Sequence, residues 1–384
     1  MDRDTELALI DELLALKQAK TPFLDAGVTH NPVSTYYCPD RFQTEQSRIF
    51  RRLPLIIAHT SEISAPGDFL RRDVGGLPLL LTRDQSGEAH AFLNVCRHRG
   101  TRLVDAEAGC KQRFTCPYHG WTYANTGDLI AAPHFEAGFA PMDKTDLGLK
   151  RLTCTERFGF VWVTADTEMA DTENCADLET HLRDVATDLA ALSMEDMTVC
   201  QQDSSVYTAN WKLLVEGGIE AYHFKVAHGS TIAPYFEDNL SSYTQLGPHI
   251  RSILMRTSMA TLASEPRDRW RLRDHGQLLY SLFPTTALLV QQDHIAWINQ
   301  EPLGAAQTRV RLSTLVPKRE TANTAHWQRN HEITRTTLAE DFALGESIQA
   351  GLTAGANRAM TFGRFEGALH AFNRTVETLL AKTP

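Results

Sequence analysis

Two short runs carry the densest chemistry in this chain. Cys96-Arg97-His98 and Cys116-Pro117-Tyr118-His119 each put one thiol and one imidazole on a tight segment, with seventeen residues between His98 and Cys116. Two such loops held face to face can ligate a two-metal cluster. Thiolates favour iron–sulfur chemistry, and imidazoles in place of two thiolates raise its reduction potential. Gly100 and Gly120 follow the two runs and allow each loop a sharp turn. A Cys₂His₂ zinc site is the rival metal reading, but in that pattern two cysteines pair first and two histidines follow. Four unrelated core residues are the plain alternative, and two ordered Cys–His pairs, each followed by glycine, argue against it. Cys110 lies between the loops, fits neither pair and reads as structural.

A second set begins at Asn210-Trp211-Lys212 and runs through Glu216-Gly217-Gly218-Ile219-Glu220-Ala221-Tyr222-His223 to His228. Two neutral imidazoles and one carboxylate make the facial triad of non-haem Fe(II) oxygenases, which leaves coordination positions open for O₂. His223 and His228 are five residues apart, so on a regular α-helix they point about 140° away from each other. To meet at one ion, the helix must loosen, for instance at a π-type bulge, or end near His228. Glu220 and His223 are three apart and share a helical face. Glu220 can therefore accept a hydrogen bond from the nitrogen of His223 that does not face the metal. A helix with ordinary surface histidines is the alternative, and the upstream Cys/His cluster weighs against it.

The elements that must position these residues fall into two groups. Between about 40 and 165 the chain shows short β-rich runs at Leu53–His59, Leu77–Thr82, Ala91–Val95, Arg113–Cys116 and Phe160–Val163, a small all-β module. Helices are expected at residues 4–19, 177–192, 322–350 and 365–381, and residues 203–228 begin as a strand and continue as a helix. Leu278–Val290, Ile295–Gln300 and Arg309–Val316 read as antiparallel strands, with Asp293-His294 near a turn. The expected class is α+β, with domains at 40–165 and at 1–39 plus 166–384.

The chain has 384 residues, is 42% hydrophobic and 22% charged, and carries a formal charge of −9. That composition supports a packed core of about two domains and weighs against a nucleic-acid partner. No apolar run reaches the ~20 residues of a membrane helix, and the acidic N-terminus lacks a secretory apolar segment. Seven scattered cysteines (Cys38, Cys96, Cys110, Cys116, Cys154, Cys175 and Cys200) suit a reducing cytoplasm better than a disulfide framework. Gly217-Gly218 is too short for a dinucleotide fingerprint, so NAD(P)H is expected to act only through another protein.

The Cys-x-His and Cys-x-x-His runs resemble the Rieske [2Fe–2S] signature. The resemblance implies that Cys96 and Cys116 hold one iron and His98 and His119 the other. Arg97, Arg99 and Tyr118 around the ligands, without an added cysteine pair, are similar to the oxygenase branch. Asn-Trp-Lys followed by Tyr-His-x₄-His resembles the catalytic motif of Rieske non-haem iron oxygenase α subunits. That implies a helix-grip-like catalytic domain, with an antiparallel sheet flanked by helices and Fe(II) on His223, His228 and a later aspartate. Asp341 is the choice, with Glu340 and Glu346 as rivals. The resemblance also implies a homotrimer in which Glu220 bridges His223 and the neighbouring subunit's cluster histidine. Glu at position 220, where the family usually has Asp, resembles the carnitine-oxygenase type. Gly217 stands where Asn or Asp is common.

The implied activity is that of a terminal oxygenase, with electrons from a separate NAD(P)H reductase or ferredoxin. It would hydroxylate or oxidatively demethylate a small organic substrate, a quaternary amine among the candidates. A cation would need an aromatic cage, for which Phe224, Tyr235, Tyr280, Phe283 and Trp297 are candidates; an aromatic acid would need an arginine, Arg251 or Arg256. Competing readings are a ring cis-dihydroxylating dioxygenase, a Rieske electron carrier and a zinc-binding module.

Overall fold

The structure, a computed structural model, describes residues 1–166 and 177–381. Cys175 lies outside the described residues. The chain divides into two units: Gln46–Thr180 with Met194–Thr198, and Met1–Glu45 with His181–Ser193 and Val199–Pro384. Among the described residues no helix is long and apolar enough to cross a membrane.

The smaller unit is all β around a seven-stranded sheet. Its strand order is Leu55–His59, Phe160–Thr164, Arg151–Arg157, Ala89–Leu93, Leu77–Arg83, Asp68–Val74, Ala108–Cys110. A second, three-stranded sheet joins Arg113–Thr115, Thr122–Ala124 and Leu129–Ala131. Strands Asp68–Val74 and Arg151–Arg157 are absent from the sequence reading because their alternation is interrupted by charge. Phe69, Leu70 and Leu152 are nevertheless buried, and Arg72 is buried with them, paired with Glu62 at 2.9 Å. Phe69, Phe92, Phe114, Trp121 and Tyr123 pack into one core that also buries Cys96 and Cys116.

The larger unit is built on a sheet ordered Met197–Tyr207, Gln307–Pro317, Ile295–Gly304, Thr286–Val290, Gly276–Leu282, His249–Arg256, Phe236–Leu246. Pairing is antiparallel from Gln307–Pro317 through to Phe236–Leu246. The helices Trp211–Ile219, Thr324–Leu352 and Gly367–Ala381 accompany it. Helix Thr324–Leu352 approaches helix Trp211–Ile219 closely at Gly345, where a Cβ would come within 2.9 Å of Leu214 Cδ2.

Three expected elements are interrupted, each for a local reason. The stretch Leu278–Val290 is two strands, because Phe283-Pro284-Thr285 forms a turn and proline cannot donate to a ladder. The helix at 177–192 is two pieces, Leu178–Leu182 and Ala186–Ala190. The His181 carbonyl is taken by His249 Nε2 at 2.9 Å, so it is lost to the helical ladder, and the Val185 N–H turns to Leu182 instead. The third interruption, at Glu220, shapes the candidate site.

The Asn-Trp-Lys run has a structural task. Asn210 caps helix Trp211–Ile219, its side-chain oxygen accepting from Lys212 N at 3.0 Å. Trp211 Nε1 donates to Glu45 Oε2 at 2.9 Å, and Lys212 Nζ to Glu45 Oε1 at 2.6 Å. Burial pulls the Lys212 ammonium pKa down, against the Glu45 carboxylate, which favours the charge. Nearby, Tyr36 Oη and Asn373 Nδ2 each donate to Glu216 Oε1 at 2.7 Å, and burial pushes that carboxyl up to about 7.

Removing one partner of a buried ion pair strands the other. Glu45→Ala is expected to lower unfolding stability by about 3–5 kcal/mol in urea titrations. The double variant Glu45→Leu/Lys212→Met should recover most of that loss. A Glu45→Ala loss under about 1 kcal/mol would show that the pair does not secure this helix.

Candidate functional site

In the smaller unit the two Cys–His loops are near copies of one turn. Cys96 N donates to the Thr101 carbonyl at 2.8 Å and Gly100 N to the Cys96 carbonyl at 2.9 Å. Cys116 N donates to the Trp121 carbonyl at 2.7 Å and Gly120 N to the Cys116 carbonyl at 3.1 Å. Both glycines sit at positive φ, +78° and +71°, where a side chain would be strained. The two thiols are buried and the imidazoles of His98 and His119 face each other, 4.5 Å between centroids. Trp121 stacks on His98 at 4.9 Å, and Tyr123 Oη lies 3.5 Å from Cys96 Sγ and accepts from Arg97 N at 3.0 Å.

The donor set fits an iron–sulfide cluster better than a single ion. His98 Nδ1 is buried with no hydrogen-bond partner, as expected of a nitrogen kept for a metal. Among the described residues, no three of these four side chains bring their ligand atoms within 4.8 Å of one another. Four ligands at zinc bond lengths of ~2.0–2.3 Å would lie closer together than that. Cys110 is exposed, its thiol 3.9 Å from the Pro66 carbonyl.

In the larger unit the helix Trp211–Ile219 stops at Glu220. The Glu220 carboxylate accepts from the backbone N–H of Tyr222 and of His223, which removes both donors from the helical ladder. A single turn, Phe224–Ala227, follows, with His223 at its start and His228 at its end. The chain thus solves the five-residue spacing with a break before His223 and a stop at His228, in place of a bulge. Glu220 also accepts from His223 Nδ1, though from outside the helix, where the sequence placed both on one helical face.

Asp341, on helix Thr324–Leu352, completes a convergent trio. Its Oδ1 lies 3.3 Å from His223 Nε2 and 2.9 Å from His228 Nε2. The three ligand atoms all lie within 4.8 Å of one another. Glu340, the neighbouring residue, takes the far side of His228: its Oε2 accepts from Nδ1 at 2.7 Å and from Thr231 Oγ1 at 2.9 Å. Glu346 accepts from Thr208 N at 2.7 Å, away from the trio. The sequence had set Glu340 beside Asp341 as a rival ligand; the imidazole support it gives was not read there, because nothing in the chain marks which carboxylate of Glu340-Asp341 faces the histidines.

With the Nδ1 protons given to Glu220 and Glu340, both Nε2 atoms present lone pairs to Asp341. Asp341 Oδ1 is buried and accepts no hydrogen bond. Three converging acceptors repel one another unless a cation lies between them. Two neutral imidazoles and one carboxylate suit ferrous iron. Burial works to lower the His223 pKa, but the carboxylates of Asp341 and Glu220 outweigh it and push the ring up to about 10. The field that favours a metal ion here therefore favours a proton on the rings as well.

The trio lines a cavity of about 440 Å³ in this unit. Ser252, Leu254 and Arg256 alternate along one strand of its floor, beside Gln277, Leu279 and Ser281 of the next. Gly217 and Gly218 also line it, and a Cβ on either would meet nothing within 4 Å. Of the aromatics considered from sequence, Phe224 and Tyr235 line the cavity, whereas Tyr280, Phe283 and Trp297 are buried and do not. Arg251 is committed elsewhere, donating to Asp188 at 2.7 Å, while Arg256 reaches the cavity.

Carboxylates behind metal-facing histidines fix the ring and raise its basicity. Glu340→Gln is expected to weaken ferrous binding at His223, His228 and Asp341 by tenfold to a hundredfold, measured by metal titration of the whole protein. The cluster's visible absorbance should stay unchanged. Undiminished ferrous affinity would show that Glu340 does not hold His228 for the metal.

Two family models match the chain, one over each run of candidate ligands. The family described as Rieske [2Fe-2S] domain matches residues 54–152, and the ring hydroxylating alpha subunit (catalytic domain) matches residues 194–382. The glycine betaine monooxygenase oxygenase subunit of Pseudomonas aeruginosa (strain UCBPP-PA14) is 33% identical over 240 residues, 62% of this chain and 54% of that protein. The anthranilate 1,2-dioxygenase large subunit of Acinetobacter baylyi is 34% identical over 195 residues, 50% of this chain and 40% of that one. The chain spans about half the length of the curated relatives it matches. The solved structure of the quaternary ammonium Rieske monooxygenase CntA superposes with a TM-score of 0.76 at 24% identity, covering 92% of this chain and 96% of that one, a likeness of fold. With a Rieske [2Fe–2S] domain followed by a ring-hydroxylating catalytic domain, the chain belongs to the Rieske non-haem iron oxygenase α subunits.

Proposed function

We propose that this chain is the terminal oxygenase of a multicomponent system, acting in a reducing cytoplasm. It hydroxylates or oxidatively demethylates a small organic substrate, with quaternary amines first in line. The carrying observation is the convergence of His223 Nε2, His228 Nε2 and Asp341 Oδ1 on the wall of a cavity. Similarity to the glycine betaine monooxygenase subunit and the glutamate at position 220 support the amine reading.

In this reading Cys96 and Cys116 hold one iron of the cluster and His98 and His119 the other. His223, His228 and Asp341 hold the mononuclear iron. When bound, the cluster supplies single electrons and the ferrous iron activates O₂. The protein's own residues do the rest. Glu220 and Glu340 fix the two imidazoles so that both Nε2 atoms face the same point. Leu254, Leu279, Leu289 and Ile298 keep water from the reacting atoms. The electron donor is a separate reductase or ferredoxin, and the chain works as a homotrimer. Across that trimer Glu220 links His223 to His119 of the neighbouring copy. Its Oε2 already accepts two backbone N–H groups, and Oε1, which accepts from His223 Nδ1, retains room for one more donor.

Ring cis-dihydroxylation is the second reading, favoured by the similarity to an anthranilate dioxygenase and by the apolar side chains Leu254, Leu279, Leu289 and Ile298 on the cavity wall. Labelling with ¹⁸O₂ separates the two: one labelled atom in the product marks a monooxygenase, two a dioxygenase.

Metal analysis of the whole protein should give three irons per chain. Two irons, with no reductase-dependent O₂ consumption on any amine or aromatic acid, would leave an electron carrier instead. Glu220→Gln, loaded to three irons per chain with excess ferrous iron, should still lose most coupled turnover. Normal coupled product formation in that variant would remove Glu220 from the relay.

A further inference from the structure

The cavity holds a cation without a counter-ion. Arg256 lines it, and no carboxylate among the described residues forms an ion pair with this side chain. Its one hydrogen bond runs from Nη2 to Gln291 Oε1, 2.9 Å. Nε is buried with no partner. The guanidinium lies over the Phe236 ring, 5.4 Å from the centroid, and burial pulls its pKa down.

Arg251, five residues earlier on the same strand, also has a buried Nε without a partner, and differs in having a carboxylate on its guanidinium. It donates to Asp188 at 2.7 Å, and Tyr280 Oη donates to the same oxygen at 3.0 Å. The nearby acids are spoken for. Asp341 and Glu220 face the histidines of the trio, and Asp293 is held between His294 at 2.6 Å and His326 at 2.7 Å. Burying a guanidinium is unfavourable unless an anion meets it, and a planar carboxylate is the matching shape. Arg256 also lines the same cavity as the trio. Phe236 packs on Phe224 at 4.9 Å, and Phe224 packs on His228 at 4.8 Å, so three ring contacts join the arginine to the metal-facing histidine.

Resting on the oxygenase reading above, we propose that Arg256 is the substrate anchor: it binds the carboxylate of a small organic acid and presents the far end of that molecule to His223, His228 and Asp341. Gln291 holds the guanidinium in place, and His294, also on the cavity wall, completes the polar end. The substrate is then an acid whose oxidised carbon is remote from its carboxylate. A quaternary amine qualifies only if it carries an acid group as well.

The test compares ligands that differ only in that group: 4-trimethylammoniobutyrate with the corresponding alcohol, and benzoate with benzyl alcohol. Binding to the full chain is measured by calorimetry, without turnover. The wild type should bind the acid of at least one pair about tenfold to a hundredfold more tightly than its alcohol, the worth of a charge-assisted hydrogen bond. Arg256→Gln should erase that difference, and Arg256→Lys should restore part of it. Should Arg256→Gln not fold, the wild-type preference and Arg256→Lys decide the matter. The anchor is overturned if the wild type shows no preference for either acid, including no binding, or if Arg256→Gln retains the full preference. Iron content and reductase-dependent O₂ consumption are read on the same preparations. Three irons with no acid preference would overturn the anchor alone, while two irons would overturn the oxygenase reading.

Discussion

Two imidazoles five residues apart cannot aim at one point from an unbroken α-helix. The larger unit is arranged around that constraint. Glu220 ends the first helix by taking the backbone N–H groups of Tyr222 and His223, and the same carboxylate fixes the His223 ring. One short turn later the chain delivers His228, whose ring is fixed from behind by Glu340. The break and the site are thus one interaction. A glutamate at this position does local work that an ordinary helix-terminating residue would not do, because it joins backbone geometry to ring orientation.

The break also explains the polar burial around it. A helix that must stop at a defined residue needs a fixed starting point. Asn210 caps it, and Trp211 and Lys212 are pinned to Glu45 in the core. Gly345 then brings the long helix Thr324–Leu352 against Leu214, which sets Asp341 beside the histidines and Glu340 behind one of them. The smaller unit uses a different device. Its ligands sit on two glycine-closed turns, and backbone hydrogen bonds with aromatic stacking hold them without any carboxylate. That contrast follows from the metals each set suits. Buried thiolates bring their own negative charge to a cluster, whereas neutral imidazoles need acids behind them to become strong, oriented donors.

Much of this was legible in the chain because its chemistry is local. Cys96, His98, Cys116 and His119 lie within one short stretch and read as a cluster from order and spacing, whereas His223 and His228, set about 140° apart by their spacing, drew their reading from that cluster and from the family resemblance. Asp341 lies more than a hundred residues away on a charged helix. Only a resemblance to a family could choose it over Glu340, since adjacent residues on a helix point about 100° apart and the sequence does not say which way the helix is turned. The strand edges were less legible where local propensity met a tertiary demand. His249 diverts the His181 carbonyl and splits a helix that reads as continuous. Several other histidines that raise the count are core hydrogen-bonders. His59 and His331, both buried, bond to the Met194 carbonyl and to Asp203. Abundance of a ligand type therefore said little until position was added.

The cavity wall sorts the two arginines that the sequence left equal. Alternation along His249–Arg256 puts residues 251 and 256 on opposite faces of the strand, so only one of them can meet a substrate. The acid on the other face, Asp188, pairs with Arg251. With Glu220 and Asp341 turned to the histidines, Arg256 is left as the cavity arginine without a carboxylate partner among the described residues. A neutral hydrocarbon ring would leave that charge unmet, and a simple cation would oppose it. The aromatic rings between Arg256 and His228 tolerate either a benzene ring or a trimethylammonium group in the middle of the substrate. Selectivity for an acid and tolerance of different bodies are consequently separable properties of this cavity.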